Sequence, residues 1–585
     1  VKSVGVVQRI TPRCYRSIKL GYPRMTAARS RYLSPLPLLF GALLLFLIAL
    51  VVHPSVALIQ NSLTVSGAFG LDNYLYLFTQ RGGTVVWNTL SVALVTTVSA
   101  TTLGVVLAWL IGRVDVPLKA VWRVLLIVPY LIPPFIGAIA WVYLLGPVGY
   151  INRFWMDLTG TRAPLFVIYG QTGTILVMTL YSYPIAYLVM LGPMRQISSA
   201  LEEAARISGA SALRVFRDIT LPLLLPNVAA AALLIFMAAL ANFGIPAVIG
   251  FPARFFTLTN EIYVVILNFD LPNNLQIAAA MSMQLVLLSI VPLLLLQRIG
   301  AGRSAAIVSG KSDQALLLDL GLWKYAAAAF LAAVTFAAVI APLLAIFATS
   351  ITPAPGVRLT AANATLAHYE TLFFGIPKVP RAFLNSLLLA FSAASVVALL
   401  AVVIAWLTVR TRLPGRRMLE VLVMTPYALP GTVTALAFIL AFIRPVLGIS
   451  LYNTIWLLLL AYVASFLAFG LRAVTGALSN IDPVLEEAAR SAGAGPVRAF
   501  RDVVIPLVRA SIIAGWFLAF MPALTELTLS ALLFSVGNET IGQVVFSLYQ
   551  EGRFNLTAAL AFSVTIGVLV LSILLSRLTR GRLLI

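Results

Sequence analysis

LEEAARISGASALRVFRDITLP, residues 201–222, is a polar island in an oily chain, and it returns as LEEAARSAGAGPVRAFRDVVIP at residues 485–506. The copies lie 284 residues apart and align without a gap. Each reads as helix, glycine turn, helix. In the first copy Ser199-Ala200-Leu201-Glu202 has the form of a capping box. Gly209 suits the left-handed turn that ends a helix, Ser211 caps the next, and Pro222 closes the unit. The second copy reaches the same shape with other residues: Asp482 before Pro483, Gly493 as the stop, Pro496 as the restart. Different caps specifying one shape argue that the shape is what matters. The small face of Ala204, Ala205, Ala488 and Ala489 admits a partner's surface closely, with Glu203, Arg206, Arg217 and Asp218 able to pair charges around it.

The surroundings are hydrophobic. Of 585 residues, 61% are hydrophobic and 10% charged, against about 25% charged in a soluble protein. The chain reads as an all-α polytopic membrane protein, since a helix satisfies its own backbone in lipid. About 20 apolar residues span the hydrocarbon, and such runs fall at roughly 36–60, 86–112, 121–145, 171–195, 226–250, 277–298, 324–350, 383–409, 419–443, 452–474, 510–534 and 557–577. With the N-terminus inside, the cytoplasmic segments hold 31 of the 40 Lys and Arg, and the outer segments the other 9. That skew obeys the positive-inside rule and puts both termini and both islands in the cytoplasm. The net charge of +21 is thereby spent on topology, and no nucleic-acid partner is expected.

Twelve spans divide into two. Asn88-Thr89-Leu90 answers to Asn385-Ser386-Leu387, Trp109 to Trp406, and Pro129-Tyr130 with Pro133 to Pro426-Tyr427 with Pro430, all 297 apart. This is an internal duplication with parallel halves. The organisation is a basic tail (1–35), a first six-span domain (36–298), a linker (299–323) and a second six-span domain (324–585). The difference between 297 and 284 places a longer outer loop in the first half, at 146–172. One Cys, Cys14, and two His exclude a disulfide and make a metal site implausible.

The islands resemble the EAA loops of binding-protein-dependent ABC importer permeases. They read Glu203-Ala204-Ala205-Arg206-Ile207-Ser208-Gly209 and Glu487-Ala488-Ala489-Arg490-Ser491-Ala492-Gly493, each followed by an apolar stretch ending in Leu-Pro or Ile-Pro. The resemblance implies two tandem six-helix domains of the MetI-like type I kind, fused in one chain. It implies that each loop docks on an ABC ATPase subunit. The coupling residues are then Glu202, Glu203, Ala204, Ala205, Arg206, Gly209, Ala210, Phe216 and Pro222, with Glu486, Glu487, Ala488, Ala489, Arg490, Gly493, Ala494, Phe500 and Pro506. It implies as partners two ATPase copies, an extracytoplasmic solute-binding protein and the bilayer of a bacterial inner membrane. The segments FGIPAVIG (243–250) and TLTNEIY (257–263) are most similar to the ferric-iron permease group, with thiamine, aminoethylphosphonate, polyamine and sulfate permeases as alternatives.

The chain itself is not expected to be an enzyme or to hold a cofactor. A phosphate-binding loop needs G-x-x-x-x-G-K-[ST], and Ser309-Gly310-Lys311-Ser312 has Ala305 where the first glycine belongs. ATP and Mg²⁺ therefore belong to the separate ATPase. No catalytic residues or metal ligands are assigned. Asn242 and Glu526, at matching places in the fifth and eleventh spans, are candidates for the translocation path, against a local bond to Thr525 or Thr528. Glu261, Asp270, Glu539 and Glu551 read as outer-loop charges, and Gly104, Gly137 and Gly431 as points of close helix approach. An ion-coupled secondary transporter built from six-span halves is the rival architecture.

Overall fold

The computed structural model describes residues 35–75, 78–197, 199–302, 317–445 and 448–578. The basic tail with Cys14, and the 309–312 stretch, lie outside the described residues. Among the described residues, eleven helices are long and apolar enough to cross a bilayer. The pair Arg416–Ala428 and Gly431–Phe442, bent by 112°, makes a twelfth. The two-residue strands Thr64–Val65 and Ala68–Phe69 form a small hairpin beyond the first span.

Four expected spans are broken rather than continuous. The stretch read as one helix over 121–145 is divided into Lys119–Leu125, Val128–Leu131 and Pro134–Leu145. Pro129, Pro133 and Pro134 lack the amide a continuous helix needs there, and Pro430 breaks the equivalent span of the second half in the same way. The fifth and eleventh spans end early, at Ala241 and Leu524. Each is followed by a short helix, Gly244–Ile249 and Thr528–Leu533. The 146–172 stretch is more than a loop. It contains the helix Tyr150–Thr159, ended by Gly160 at φ +68°. That helix clasps the other half: Asp157 pairs with Arg358 at 2.7 Å, and Arg153 reaches the carbonyl of Val357 at 3.5 Å.

Each half buries its first span in the other. Leu43, Leu47, Leu50, Val51 and Ala57 belong to a core otherwise made of second-half residues such as Leu389, Val423 and Leu467. Reciprocally, Leu331, Val334, Ala338 and Val339 belong to a core of first-half residues such as Ala100, Leu110 and Tyr187. The halves are thus interlocked, and movement of one half must carry the first span of the other.

Within each half the second and fourth spans make the closest approach. A Cβ placed on Gly104 would lie 2.6 Å from the Cβ of Ala186 and from the carbonyl oxygen of Tyr183. In the second half the glycine has changed sides. Ala401 stands in the place of Gly104 and Gly470 in the place of Ala186, and a Cβ on Gly470 would lie 2.7 Å from Val397 Cγ1 and 3.2 Å from the Cβ of Ala401. One small pair at the crossing meets the same steric need from either helix. Gly431 lies close against Thr528, but a Cβ at Gly137 would meet nothing within 4 Å. The close-approach reading of Gly137 is therefore wrong.

The repeated asparagines also acquire a purpose. Asn88 donates to the carbonyl of Phe256 (3.0 Å), and Asn385 to those of Gly537 (3.1 Å) and Glu539 (3.0 Å). The following hydroxyls, Thr89 and Ser386, accept from the amides of Leu258 and Ile541, both at 2.8 Å. In both halves the second span thereby caps a short helix, Leu258–Ile266 or Ile541–Gln550. Glu261 on the first of these is not a solvated loop charge. It is fully buried and paired with Arg81 at 2.6 Å, because burying a carboxylate without a counter-charge is prohibitive.

Candidate coupling hairpins

Both islands fold as the helix–glycine–helix units their caps predict. The helices Ser199–Ile207 and Val484–Ser491 end at Gly209 and Gly493, with φ of +85° and +87°. Ala210 and Ala494 send their amides back to the carbonyls of Ala205 and Ala489, both at 3.0 Å, closing the turn. Ser211 accepts from the amide of Arg214 at 3.4 Å, and Asp482 from that of Val484 at 3.0 Å. The second arm of each hairpin runs through one π-helical turn, Phe216–Thr220 and Phe500–Val504, before the long helices that carry Pro222 and Pro506.

The outer face of both hairpins is open. Glu203, Ala204, Arg206 and Gly209 are exposed, as are Glu487, Ala488, Arg490 and Gly493. Ala205, Ala210, Ala489 and Ala494 are half-buried. Arg217 and Asp218 pair with each other at 2.7 Å, and Arg501 with Asp502 at 2.8 Å. The hydrogen bond from the neighbouring guanidinium holds each of these exposed carboxyls below its ordinary range. Their charge is thus partly committed within the hairpin.

The inner face is anchored to the second span. Phe216 packs edge-on against Trp109 with ring centroids 5.6 Å apart, and Phe500 packs against Trp406 with the rings tilted and centroids 5.0 Å apart. The sequence pairs Trp109/Trp406 and Phe216/Phe500 therefore record one contact made twice. Glu202 faces inward. It is buried, takes a hydrogen bond from the hydroxyl of Thr220 at 2.8 Å, and meets the Nη2 of Arg113 at 3.1 Å. Arg113 is 1% exposed, ends the long helix Gln80–Arg113, and also donates to the carbonyl of Ile197 at 3.2 Å. This arginine acts as a strut between the second span and the hairpin. The carboxylate pairs with it because a charge-assisted contact to a buried guanidinium compensates the burial of both groups.

The second half repeats the strut in a looser form. Arg410, at the end of Lys378–Arg410, donates to the carbonyls of Leu478 (3.1 Å) and Ile481 (2.6 Å) and stands 4.0 Å from Glu486. Val504 replaces the hydroxyl of Thr220. Among the described residues a further tie appears on the first side. The Leu318 amide donates to the carbonyl of Arg113 at 2.7 Å, and its carbonyl accepts from Asp115 at 3.1 Å. The linker's end is pinned to the same point as the first hairpin. Arg113, Arg410 and Thr220 were missed in the sequence. The signal for the arginines was present, since each stands four residues after one of the repeated tryptophans.

Asn242 and Glu526 act as caps. The Asn242 side chain accepts from the amide of Ile245 at 3.0 Å. The Glu526 carboxylate accepts from the amides of Leu529 (2.8 and 2.9 Å) and Ser530 (3.0 Å). Each starts the short helix that follows its broken span. Among the described residues no cluster of His, Cys, Asp and Glu is arranged to hold a metal ion. A cavity of about 230 Å³ lies at the far end of Gln171–Gln196 from the hairpin, between the halves. Tyr143, Tyr150, Arg153, Tyr169, Thr349 and Asn555 line part of it.

The model for the binding-protein-dependent transport system inner membrane component matches twice, at residues 100–305 and 397–581. A ferric transport system permease protein of Actinobacillus pleuropneumoniae is 27% identical over 549 residues, 92% of this chain and 77% of that protein. An Fe(3+)-transport system permease protein of Haemophilus influenzae is 24% identical over 482 residues, 82% of this chain and 86% of that one. A spermidine/putrescine transport system permease protein of Salmonella typhimurium is 28% identical over 204 residues, 35% of this chain and 71% of its own length. Two family matches in tandem, each containing one of the hairpins, show that the chain belongs to the binding-protein-dependent inner membrane permeases, the multi-pass membrane subunits of ABC importers.

Proposed function

We propose that this chain is the permease of an ATP-driven importer of ferric iron, fed by an extracytoplasmic binding protein and driven by two copies of a separate ATPase subunit. The observation that carries the coupling half of this reading is the pair of open hairpins, each anchored on its inner face and bare on its outer one. The iron half rests on the full-length relatives named for ferric transport.

In this mechanism the ATPase subunits dock on the exposed Glu203–Gly209 and Glu487–Gly493 faces, with both hairpins and both termini cytoplasmic. Closure on ATP moves the hairpins together. Each hairpin passes its displacement to its own fifth or eleventh span through the π turn, and to its second span through Arg113 or Arg410. The exchanged first spans oblige both halves to move at once. ATP favours the outward-open arrangement only by as much as its closed ATPase dimer binds the hairpins better in that arrangement. Asn242 and Glu526 sit where the broken spans leave backbone free to line a route.

Reconstitution tests the reading. Proteoliposomes holding this chain and its ATPase, supplied with the binding protein, are expected to take up radioactive Fe(III) only with ATP present. Uptake of spermidine instead would favour the polyamine reading that the half-length relative suggests. Uptake driven by a proton gradient without the ATPase would overturn the importer assignment.

A further inference from the structure

Beside the first hairpin lies a group of cations that the coupling mechanism does not use. Lys119 and Arg123 stand on the short helix Lys119–Leu125, and Arg195 near the end of Gln171–Gln196, two residues before the carbonyl that Arg113 holds. The three lie close enough to oppose one another's charge. Lys119 donates to the carbonyl of Val114 at 3.1 Å, and Asp115 is the acid that bears on it. The Nε of Arg123 and an Nη of Arg195 are buried without a hydrogen-bond partner. Burial first, and then Arg195 and Arg123, hold the Lys119 ammonium below its ordinary pKa. Three crowded cations facing one carboxylate, with only the neutral hydroxyl of Tyr187 beside Arg123 and Arg195, are poorly compensated by the protein alone.

The second half provides an internal control. The residues at the corresponding positions are Arg416, Glu420 and Ser479. There the middle cation has become an acid and the third is neutral, so the cluster belongs to the first half alone.

Its setting names the ligand. Leu118, Val121 and Val124 flank the cations on the same short segment and are 68%, 47% and 59% exposed. The helix Trp323–Thr335 packs against Lys119–Leu125 and presents Trp323, 76% exposed, beside Tyr325, 59% exposed. Exposed aliphatic residues with a tryptophan and a tyrosine mark the level of the headgroups, where apolar surface gives way to water. We propose that Lys119, Arg123 and Arg195 bind the headgroup of one anionic phospholipid, whose acyl chains lie along Val121 and Val124. The lipid supplies the counter-charge that the second half carries as Glu420. Bound there, it braces the end of the fourth span from which the first hairpin departs.

The test uses the full chain in detergent micelles, loaded with mixtures of phosphatidylglycerol and phosphatidylcholine. Native mass spectrometry then counts the lipids retained. Each cation near a lipid surface contributes about fivefold in binding, so Lys119→Gln/Arg123→Gln/Arg195→Gln is expected to weaken the tightest phosphatidylglycerol by about a hundredfold. Arg416→Gln/Arg417→Gln, at the matching place in the second half, is expected to leave that lipid in place. Should the triple variant fold poorly, Arg123→Glu serves instead, because it installs the second half's own residue; it too is expected to lose the lipid. Equal retention in the variants and the parent would overturn the proposal, as would equal retention of phosphatidylcholine. Displacement of the lipid by millimolar inorganic phosphate would overturn the lipid assignment in favour of a free anion.

Discussion

Glu202→Gln should loosen the first hairpin far more than Glu486→Gln loosens the second. The reason is the unequal struts. Glu202 is 10% exposed in its side chain and faces an arginine that is 1% exposed at 3.1 Å; Glu486 is 15% exposed and 4.0 Å from its arginine. Removing one member of a buried ion pair costs about 3–5 kcal/mol, because the partner is left charged and dry. At 4.0 Å the second contact is past hydrogen-bonding range, and Arg410 keeps its two carbonyl partners, so the loss there is about 1 kcal/mol or less. A cost of about 3 kcal/mol multiplies local opening by about a hundredfold. Hydrogen exchange on the complex in nanodiscs, read at residues 203–216 and 487–500, measures this opening directly. The first segment should lose about two decades of protection in Glu202→Gln and the second less than one in Glu486→Gln. The double variant Arg113→Met/Glu202→Met should recover much of the protection, since an apolar pair of similar volume replaces a buried ion pair at little cost. Equal loss in the two glutamine variants, or no recovery in the double methionine variant, would refute the strut.

The outer face should behave differently from the inner. Glu203→Lys with Glu487→Lys is expected to leave exchange in the hairpins unchanged and the protein inserted, while co-purification of the ATPase is lost; normal uptake would contradict the docking role. Gly209→Val forces a β-branched residue to φ +85°, at about 1–2 kcal/mol, and should reduce ATPase co-purification, with Gly209→Asn milder. Gly104→Ala should destabilise by about 1–3 kcal/mol in thermal unfolding. Adding Ala186→Gly, the arrangement the second half uses at Ala401 and Gly470, should restore at least half of that loss.

Legibility in the sequence followed the range of each interaction. The hairpins were readable because every feature that forms them lies within a few residues: a cap, a glycine at a left-handed turn, a proline at the restart. The duplication was readable because it is a comparison of the chain with itself. Span interruptions were half readable. Pro133, Pro134 and Pro430 were visible, but a hydropathy window sums composition and is blind to the lost amide that turns the chain. The strut was illegible as a contact, because Arg113 and Glu202 are 89 positions apart and neither residue type announces its partner. Glu261 failed for the same reason: without Arg81, 180 positions away, its charge can only be assigned to water. The exchange of first spans lay furthest from view, since a helix buried in the other half has the same apolar composition as one buried in its own.

These long-range contacts are what convert two hairpins into one machine. A hairpin held only through its own two arms would tilt the fifth span and leave the rest of its half behind. Arg113 adds the second span, and the Gly104–Ala186 crossing adds the fourth to the second with almost no clearance. The interlocked first spans then extend the movement to the opposite half. Such a unit can only move as a rigid body, because a close crossing and a buried ion pair leave no low-cost way for one span to slip past another. The unequal struts add a direction to it. The first hairpin, with Thr220 bonded to Glu202 and the linker's Leu318 to Arg113, resists local opening. The second, with a gap of 4.0 Å, should yield first under load. Fusion of two halves into one chain permits that asymmetry, because each copy of the duplicated hairpin was free to settle on its own anchorage.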